Sequence, residues 1–175
     1  MLYSDVQREV LRRLSNEYSV AVKNFWIERL AQSIGEWPAF FDSPEALIKL
    51  QRRFKLCILS NVDHASFRGS NEKLCVDFHL VLTAQDIGSY KPNLRNFKMI
   101  LEKLDAQGIR QDEVLHVAQG LYHDHVPAAA IGLKSVWINR RHGKQGSGAT
   151  VDPKTLPPFY REFPSMREFA AWACA

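Results

Sequence analysis

The sequence contains little cysteine, and what it contains forms no framework. Its three cysteines, Cys57, Cys75 and Cys174, are an odd number, and none belongs to a Cys-x-x-Cys pair. This argues against a disulfide-stapled secreted domain and against a thiolate zinc finger. We predict three free thiols, buried by the strands and helices around them, in a reduced intracellular protein.

Long apolar runs and a strong excess of one charge are also missing. No stretch is apolar over the length that a membrane span needs, and Asp5 and Arg8 come too early for the apolar part of a secretory signal. The net charge is only +4, and the positive residues are scattered rather than clustered. We therefore expect a cytoplasmic protein with a small anionic substrate and neither a nucleic-acid nor a membrane partner.

The 175 residues do contain enough apolar surface for one ordinary domain, because 46% of them are hydrophobic. We expect Ser4 and Ser43 to cap the helices that they begin. The apolar spacing predicts helices at residues 4–18, 25–34, 43–53, 65–74, 94–104, 127–131 and 165–174, strands at 55–60, 80–83, 114–118 and 135–138, and a long loop at 141–158. Strands that alternate with helices indicate an α/β fold with a parallel sheet.

Polar residues follow the predicted strands, at the sheet edge where α/β proteins bind their ligands. Ser60 and Asn61 end the first strand, where a hydroxyl, an amide and turn N–H groups can cradle an anion. The alternative is an ordinary polar turn. Lys91 is held extended by Pro92 and can place a fixed positive charge at the same edge. Its alternative is a solvated surface lysine.

Asp124 follows a later strand and precedes a short helix. It can orient Lys91, bind a metal ion or simply cap the helix. The flanking His123 and His125 suggest a metal cluster, but adjacent side chains point in different directions. We therefore do not expect one metal ion to take all three.

Taken in order, these phrases resemble the haloacid dehalogenase superfamily, and within it the 2-haloacid dehalogenase-like branch. The resemblance lies in WPAF at 37–40, LSNVD at 59–63, TAQDIGSYKP at 83–92, LHVAQ at 115–119 and HDHVPA at 123–128. It extends over essentially the whole chain.

The resemblance implies a Rossmann-like core with a parallel sheet and a helical cap inserted after the first strand. Residues 1–38 would be a remnant of the cap and residues 39–175 the core. It also implies that Ser60 and Asn61 hold the nucleophile or the leaving group, and that Lys91 neutralises carboxylates. Asp124 would hold that lysine and the attacking water. The nucleophile itself would be an aspartate at the end of the first strand, which forms an ester intermediate.

Two features depart from this family pattern. The first strand and its aspartate are absent from the sequence, so the strands at 55–60 and 114–118 should lack a shared neighbour. We expect their unpaired edges to make the chain marginally stable or to pair with a second copy in a homodimer. In addition, residues 119–122 carry no carboxylate, which argues against a magnesium site.

The function expected from the resemblance is hydrolysis of a carbon–halogen bond in a small 2-haloacid, with this chain alone incomplete or inactive. No cofactor is expected for that reaction. One alternative is a phosphatase of the same superfamily, for which Mg²⁺ is a possible cofactor. A second is a non-catalytic binding or scaffold protein that kept the fold.

Overall fold

The computed structural model describes residues 1–145 and 151–175 as helices and strands that alternate along the chain. The helices are α1 (Tyr3–Glu17), α2 (Asn24–Gln32), α3 (Ser43–Gln51), α4 (His64–Leu74), α5 (Ala84–Ile87), α6 (Leu94–Asp105), α7 (Val126–Ala130) and α8 (Met166–Ala173). The strands are β1 (Cys57–Ser60), β2 (Leu80–Thr83), β3 (His116–Ala118), β4 (Ser135–Ile138) and β5 (Arg161–Phe163). Short 3-10 turns cover Ser33–Glu36 and Gln111–Glu113, and a π-helical turn covers Leu121–His125.

All strand pairs are parallel, and they form two separate sheets. In one, β1 pairs with β2 so that Ser60 lies opposite Thr83. In the other, β4 lies between β3 and β5, with His116 opposite Ser135. Within residues 1–145 and 151–175, no strand pairs with the second edge of β1 or of β3. This is the break in the sheet that the sequence predicts for strands without a shared neighbour.

The same helix layers cover both sheets. On one face, apolar residues of α6 such as Ile100 pack in a cluster that also touches Leu59 of β1 and Val114, which leads into β3. On the other face, α3 and α8 form a cluster with β4 that touches both Leu56 and Val117. Apolar packing therefore holds the sheets side by side although no backbone hydrogen bond joins them.

Helices α1 and α2 form a pair outside this core. No residue of α1 is buried, and the guanidinium of Arg8 joins it to Glu28 of α2 at 2.9 Å. The pair reaches the core where the 3-10 turn after α2 crosses α4. There a Cβ on Gly69 would lie 2.7 Å from the carbonyl oxygen of Gly35, so only glycine permits so close an approach.

Two predicted helix caps are wrong, and tertiary contacts explain both. Helix α1 begins one residue earlier than expected, so Ser4 lies inside it and donates its backbone N–H to Asp63 at 3.2 Å. Ser43 is the first residue of α3, and Asp42 takes the cap position. The Asp42 carboxylate does not cap the helix, because it accepts from Arg140 at 2.8 Å.

Strand prediction was accurate for continuous apolar runs and failed for a polar one. The strands at 80–83 and 135–138 match β2 and β4, whereas β1 and β3 are each shorter than predicted by two residues. Strand β5 was missed because its sequence, Arg-Glu-Phe, has no apolar run. The described parts of the loop predicted at 141–158 contain neither helix nor strand, and residues 146–150 of it lie outside the described residues.

The three cysteines are free thiols in the structure, as predicted. Cys57 and Cys174 are partly buried, but the prediction of burial is wrong for Cys75, which is exposed. Cys75 follows α4 in the left-handed conformation, with φ of 56°. Among the described residues, no helix has both the length and the apolar character to cross a membrane.

Candidate functional site

A lysine bridges the carboxyl ends of the two sheets. The Lys91 ammonium donates to the Leu59 carbonyl oxygen of β1 at 2.9 Å and to Oδ1 of Asp124, which follows β3, at 2.6 Å. The two charged side chains are only 12% and 11% exposed. An ammonium carries three hydrogens, so this arrangement leaves one for a further acceptor. Lys91 and Asp124 therefore meet at this edge, as their positions after successive strands predict.

Asn61 fixes the main chain of that lysine. Its Oδ1 accepts the Lys91 backbone N–H at 2.7 Å, and its Nδ2 donates to the Lys91 carbonyl oxygen at 3.1 Å. This pair of bonds joins the end of β1 to the loop before α6. Ser60, its neighbour, accepts the Val62 N–H at a long 3.4 Å, so its hydroxyl can still donate to a ligand.

Asp124 lies in a compact polar cluster that stabilises its ionised form. Besides Lys91, Nε2 of His116 lies 3.0 Å from the same Oδ1. Burial alone would raise the pKa of Asp124, but the Lys91 charge and the His116 contact outweigh it and hold that pKa well below its usual range. The carboxylate is therefore ionised at any ordinary pH.

A glycine makes room for the second oxygen of this carboxylate. A Cβ on Gly120 would lie 2.8 Å from Oδ2 of Asp124. A side chain at position 120 would displace the carboxylate or be displaced by it. The absence of an acidic residue here, noted in the sequence, thus has a steric reason.

His125 is completely buried behind Asp124 and is structural. Its Nε2 lies 3.1 Å from the Ala118 carbonyl oxygen and its Nδ1 lies 2.8 Å from Oγ of Ser135. A carbonyl only accepts, so Nε2 carries the hydrogen and Nδ1 accepts from the serine. Burial lowers the pKa of His125, which keeps the ring neutral. The ring joins the π-helical turn to β3 and β4.

The other aspartates near this edge are engaged elsewhere. Oδ1 of Asp63 accepts the Ser66 N–H at 2.9 Å and caps α4. Oδ2 of Asp86 accepts the Thr83 N–H at 2.7 Å. Burial would raise the pKa of both carboxyls, but these backbone bonds outweigh it and lower the pKa. Neither carboxylate makes a hydrogen bond or ion pair with Lys91 among the described residues, so neither forms part of its cluster with Asp124.

The residues around Asp124 do not fit a magnesium ion. Among the described residues, no group of three or more His, Cys, Asp or Glu side chains could hold a metal. His125 is engaged with Ser135, and His123 packs against the ring of Tyr122 instead. Oδ1 of Asp124 already contacts a lysine ammonium, whose charge repels a cation, and Mg²⁺ requires several oxygen ligands.

The sequence predicted Ser60, Asn61, Lys91 and Asp124 as site residues but did not predict His116. His116 lies between Leu115 and Val117, in a run that predicts an apolar strand. A histidine inside such a strand was the available signal, because a buried imidazole requires hydrogen-bond partners.

Solved structures identify the fold. An L-2-haloacid dehalogenase from Xanthobacter autotrophicus matches with a TM-score of 0.80 and 16% identity, over 99% of this chain and 76% of that chain. A dehalogenase solved with an intermediate complex gives 0.79 and 24%, over 98% and 73%. YfnB of Bacillus subtilis, a HAD-type hydrolase solved with magnesium, gives 0.73 and 20%, over 98% and 72%. The chain has the Rossmann-like fold of haloacid-dehalogenase-type hydrolases, as its motifs predict.

No protein-family model matches the sequence, and no curated protein matches it.

Proposed function

We propose that this chain provides the lysine–aspartate part of a hydrolytic site of the 2-haloacid dehalogenase type. The observation that carries the proposal is the buried Lys91, which bridges Leu59 and Asp124 across the break between the sheets. In this proposal residues 1–38 are the remnant of a helical cap and residues 39–175 are the core.

We place the nucleophile in the break between β1 and β3. Each of these strands has one edge without a strand partner among the described residues. A parallel strand inserted there would hydrogen-bond to both edges and relieve the cost of their unpaired backbone groups. Its carboxyl end would lie beside Lys91. The carboxylate of an aspartate at that end would accept a hydrogen bond from the third ammonium hydrogen.

In the proposed reaction, the lysine keeps the incoming aspartate ionised and orients it. One carboxylate oxygen forms a bond to the carbon that carries the halogen, and the halide leaves with the electron pair. Water then attacks the carbonyl carbon of the resulting ester. The products are a 2-hydroxy acid, a halide ion and a proton released to solvent, and the aspartate is restored.

Substrate binding in this proposal uses the free donors at the same edge. The Ser60 hydroxyl and the second hydrogen on Nδ2 of Asn61 are available to a halide or a substrate carboxylate. A small 2-haloacid offers both groups, which makes it the substrate class that these donors suit.

The test uses the 175-residue chain and a longer chain in which an apolar strand ending in aspartate precedes it. Halide release from 2-chloropropionate is measured for both. We expect the short chain to remain at the buffer rate, since loss of a nucleophile typically costs about 10⁶ in rate. The longer chain should release halide, and its matched variant with asparagine for that aspartate should not. Equal release by the short chain would overturn the proposal.

The phosphatase alternative is tested in the same assay with p-nitrophenyl phosphate, with and without Mg²⁺. The donor set around Asp124 does not suit a magnesium ion, so we expect no magnesium-dependent phosphate release from either chain. A longer chain that hydrolyses the phosphate ester but releases no halide would replace the dehalogenase proposal with the phosphatase. A longer chain that does neither would favour a non-catalytic binding protein.

A further inference from the structure

We propose that His116 is a positioning residue that fixes the Asp124 carboxylate for Lys91. The proposal deepens the proposed hydrolytic site and rests on it for its functional meaning. His116 belongs to β3, and its imidazole is 14% exposed. It would act through Asp124 and would not touch the substrate.

The contact itself has the geometry of a directed hydrogen bond. Nε2 of His116 lies 3.0 Å from Oδ1 of Asp124, and the ammonium of Lys91 lies 2.6 Å from the same oxygen. An ionised carboxylate oxygen only accepts, so Nε2 of His116 carries the hydrogen. Two donors therefore converge on one oxygen, His116 from β3 and Lys91 from the loop before α6.

The imidazole is held in this orientation by its neighbours. The ring of the fully buried Phe97 meets it edge to face at a centroid distance of 5.2 Å. On its other side, the ring of His125 lies 6.5 Å away. Phe97 belongs to α6, so packing of that helix against β3 fixes the direction of the donor.

The consequence concerns the rotation of the carboxylate. The terminal torsion of an aspartate has a broad energy minimum, so one donor leaves its two oxygens free to exchange places. Lys91 and His116 together hold Oδ1 in place, and Oδ2 then lies in the space that Gly120 leaves open. Because the Lys91 ammonium is hydrogen-bonded to that same fixed oxygen, the direction in which its third hydrogen points is also fixed.

The variants that test this separate the hydrogen bond from the packing. His116→Gln keeps an N–H donor of similar reach, and His116→Leu keeps most of the volume but has no donor. His123→Gln is the matched control, since this neighbouring histidine packs against Tyr122 and not against the carboxylate. Each is made in the 175-residue chain.

Nuclear magnetic resonance provides the readout, independent of any activity. In the parent chain we expect His116 to be the Nε2–H tautomer when neutral. We expect the ¹³Cγ resonance of the ionised Asp124 at pH 7 to move in His116→Leu, because a hydrogen bond to the charged form has been lost. His116→Gln should restore most of the parent resonance position, and His123→Gln should leave it unchanged.

Two results would overturn the proposal: an Nδ1–H tautomer at His116, or an Asp124 ¹³Cγ resonance that does not move in His116→Leu. If His116→Leu does not fold, the tautomer and the Asp124 resonance in His116→Gln still decide. In the longer chain, His116→Leu should lower kcat at least tenfold with little change in KM. If that longer chain releases no halide at all, the proposed function fails, whereas the resonance measurements on the short chain still decide the role of His116.

Discussion

The two sides of the broken sheet hold their polar groups by different means. On the β1 side, Asn61 bonds to the main chain of Lys91, and the lysine ammonium bonds to a main-chain carbonyl oxygen. On the β3 side, Asp124 is held by the side chain of His116, and His125 is held by the Ser135 side chain and one main-chain carbonyl. Main-chain partners persist through most mutations, whereas a buried network fails when one member is lost or changes its protonation. We therefore expect the β3 side to be the more sensitive to mutation and to pH.

The largest effect is expected where the two sides meet. Asp124→Ala leaves the ammonium of Lys91 nearly buried without its counter-charge, which typically costs about 3–5 kcal/mol of unfolding free energy. Lys91→Met should cost less, because Asp124 keeps its contact with His116. Urea unfolding of both variants measures the difference. Equal losses would show that the β3 side does not hold Asp124 by itself.

A second loss is expected from His125→Leu, which keeps the core filled but leaves the Ala118 carbonyl and the Ser135 hydroxyl without their partner. Each unpaired buried group costs roughly 1–3 kcal/mol, so we expect a loss of about 2–6 kcal/mol in urea unfolding. A loss below 0.5 kcal/mol, on the order of a neutral surface substitution, would contradict a structural role for this ring.

The same histidine should make stability depend on pH. Burial lowers the pKa of His125 from its ordinary value of 6.5. As the pH falls, His125 therefore binds a proton in the unfolded chain before it does so in the folded chain. The contribution of His125 to stability should be complete above pH 6.5 and disappear as the pH falls through the folded-state pKa. Urea midpoints at pH 8 and pH 5 test this. His125→Leu should flatten the dependence and His123→Gln should retain it.

On the β1 side, Asn61→Ala removes two hydrogen bonds to the Lys91 main chain. We expect a loss of about 1–3 kcal/mol in urea unfolding, because each such bond contributes roughly 0.5–1.5 kcal/mol. Ser60→Ala is the control, since the hydroxyl of Ser60 makes one hydrogen bond to a described residue, the long bond from Val62. It should change stability by less than about 0.5 kcal/mol. A larger loss for Ser60→Ala than for Asn61→Ala would reverse the assignment of roles.

The smallest effect should be a gain in stability, in the helix that packs against both sides. Asn96 of α6 is 1% exposed, and neither its Oδ1 nor its Nδ2 has a hydrogen-bond partner among the described residues. Asn96→Leu removes this cost at similar volume, so we expect the unfolding free energy to rise by about 1 kcal/mol. Thermal unfolding with Asn93→Leu as a control measures it, because Asn93 caps α6 and its loss should destabilise. A destabilising Asn96→Leu would indicate a partner for Asn96, such as bound water.

The sequence predicted the α/β alternation and the meeting of Lys91 with Asp124, because both follow from local patterns. Apolar runs mark β2 and β4, and residues after parallel strands share one edge. It could not predict that Asp42 and Asp63 serve distant partners, since Arg140 and Ser4 lie far away along the chain. His116 was missed for the same reason, because its role depends on where the π-helical turn places Asp124.

Asp63 connects the outer helices mechanically to the site. One of its oxygens caps α4 through Ser66, the other accepts the N–H of Ser4 in α1, and Asn61 lies two residues before it. A force that draws α1 away from the core is therefore transmitted in part through this carboxylate to the turn whose Asn61 binds the Lys91 loop. Outward displacement of α1 breaks the Ser4 bond or strains that turn, which couples the displacement to the position of the lysine.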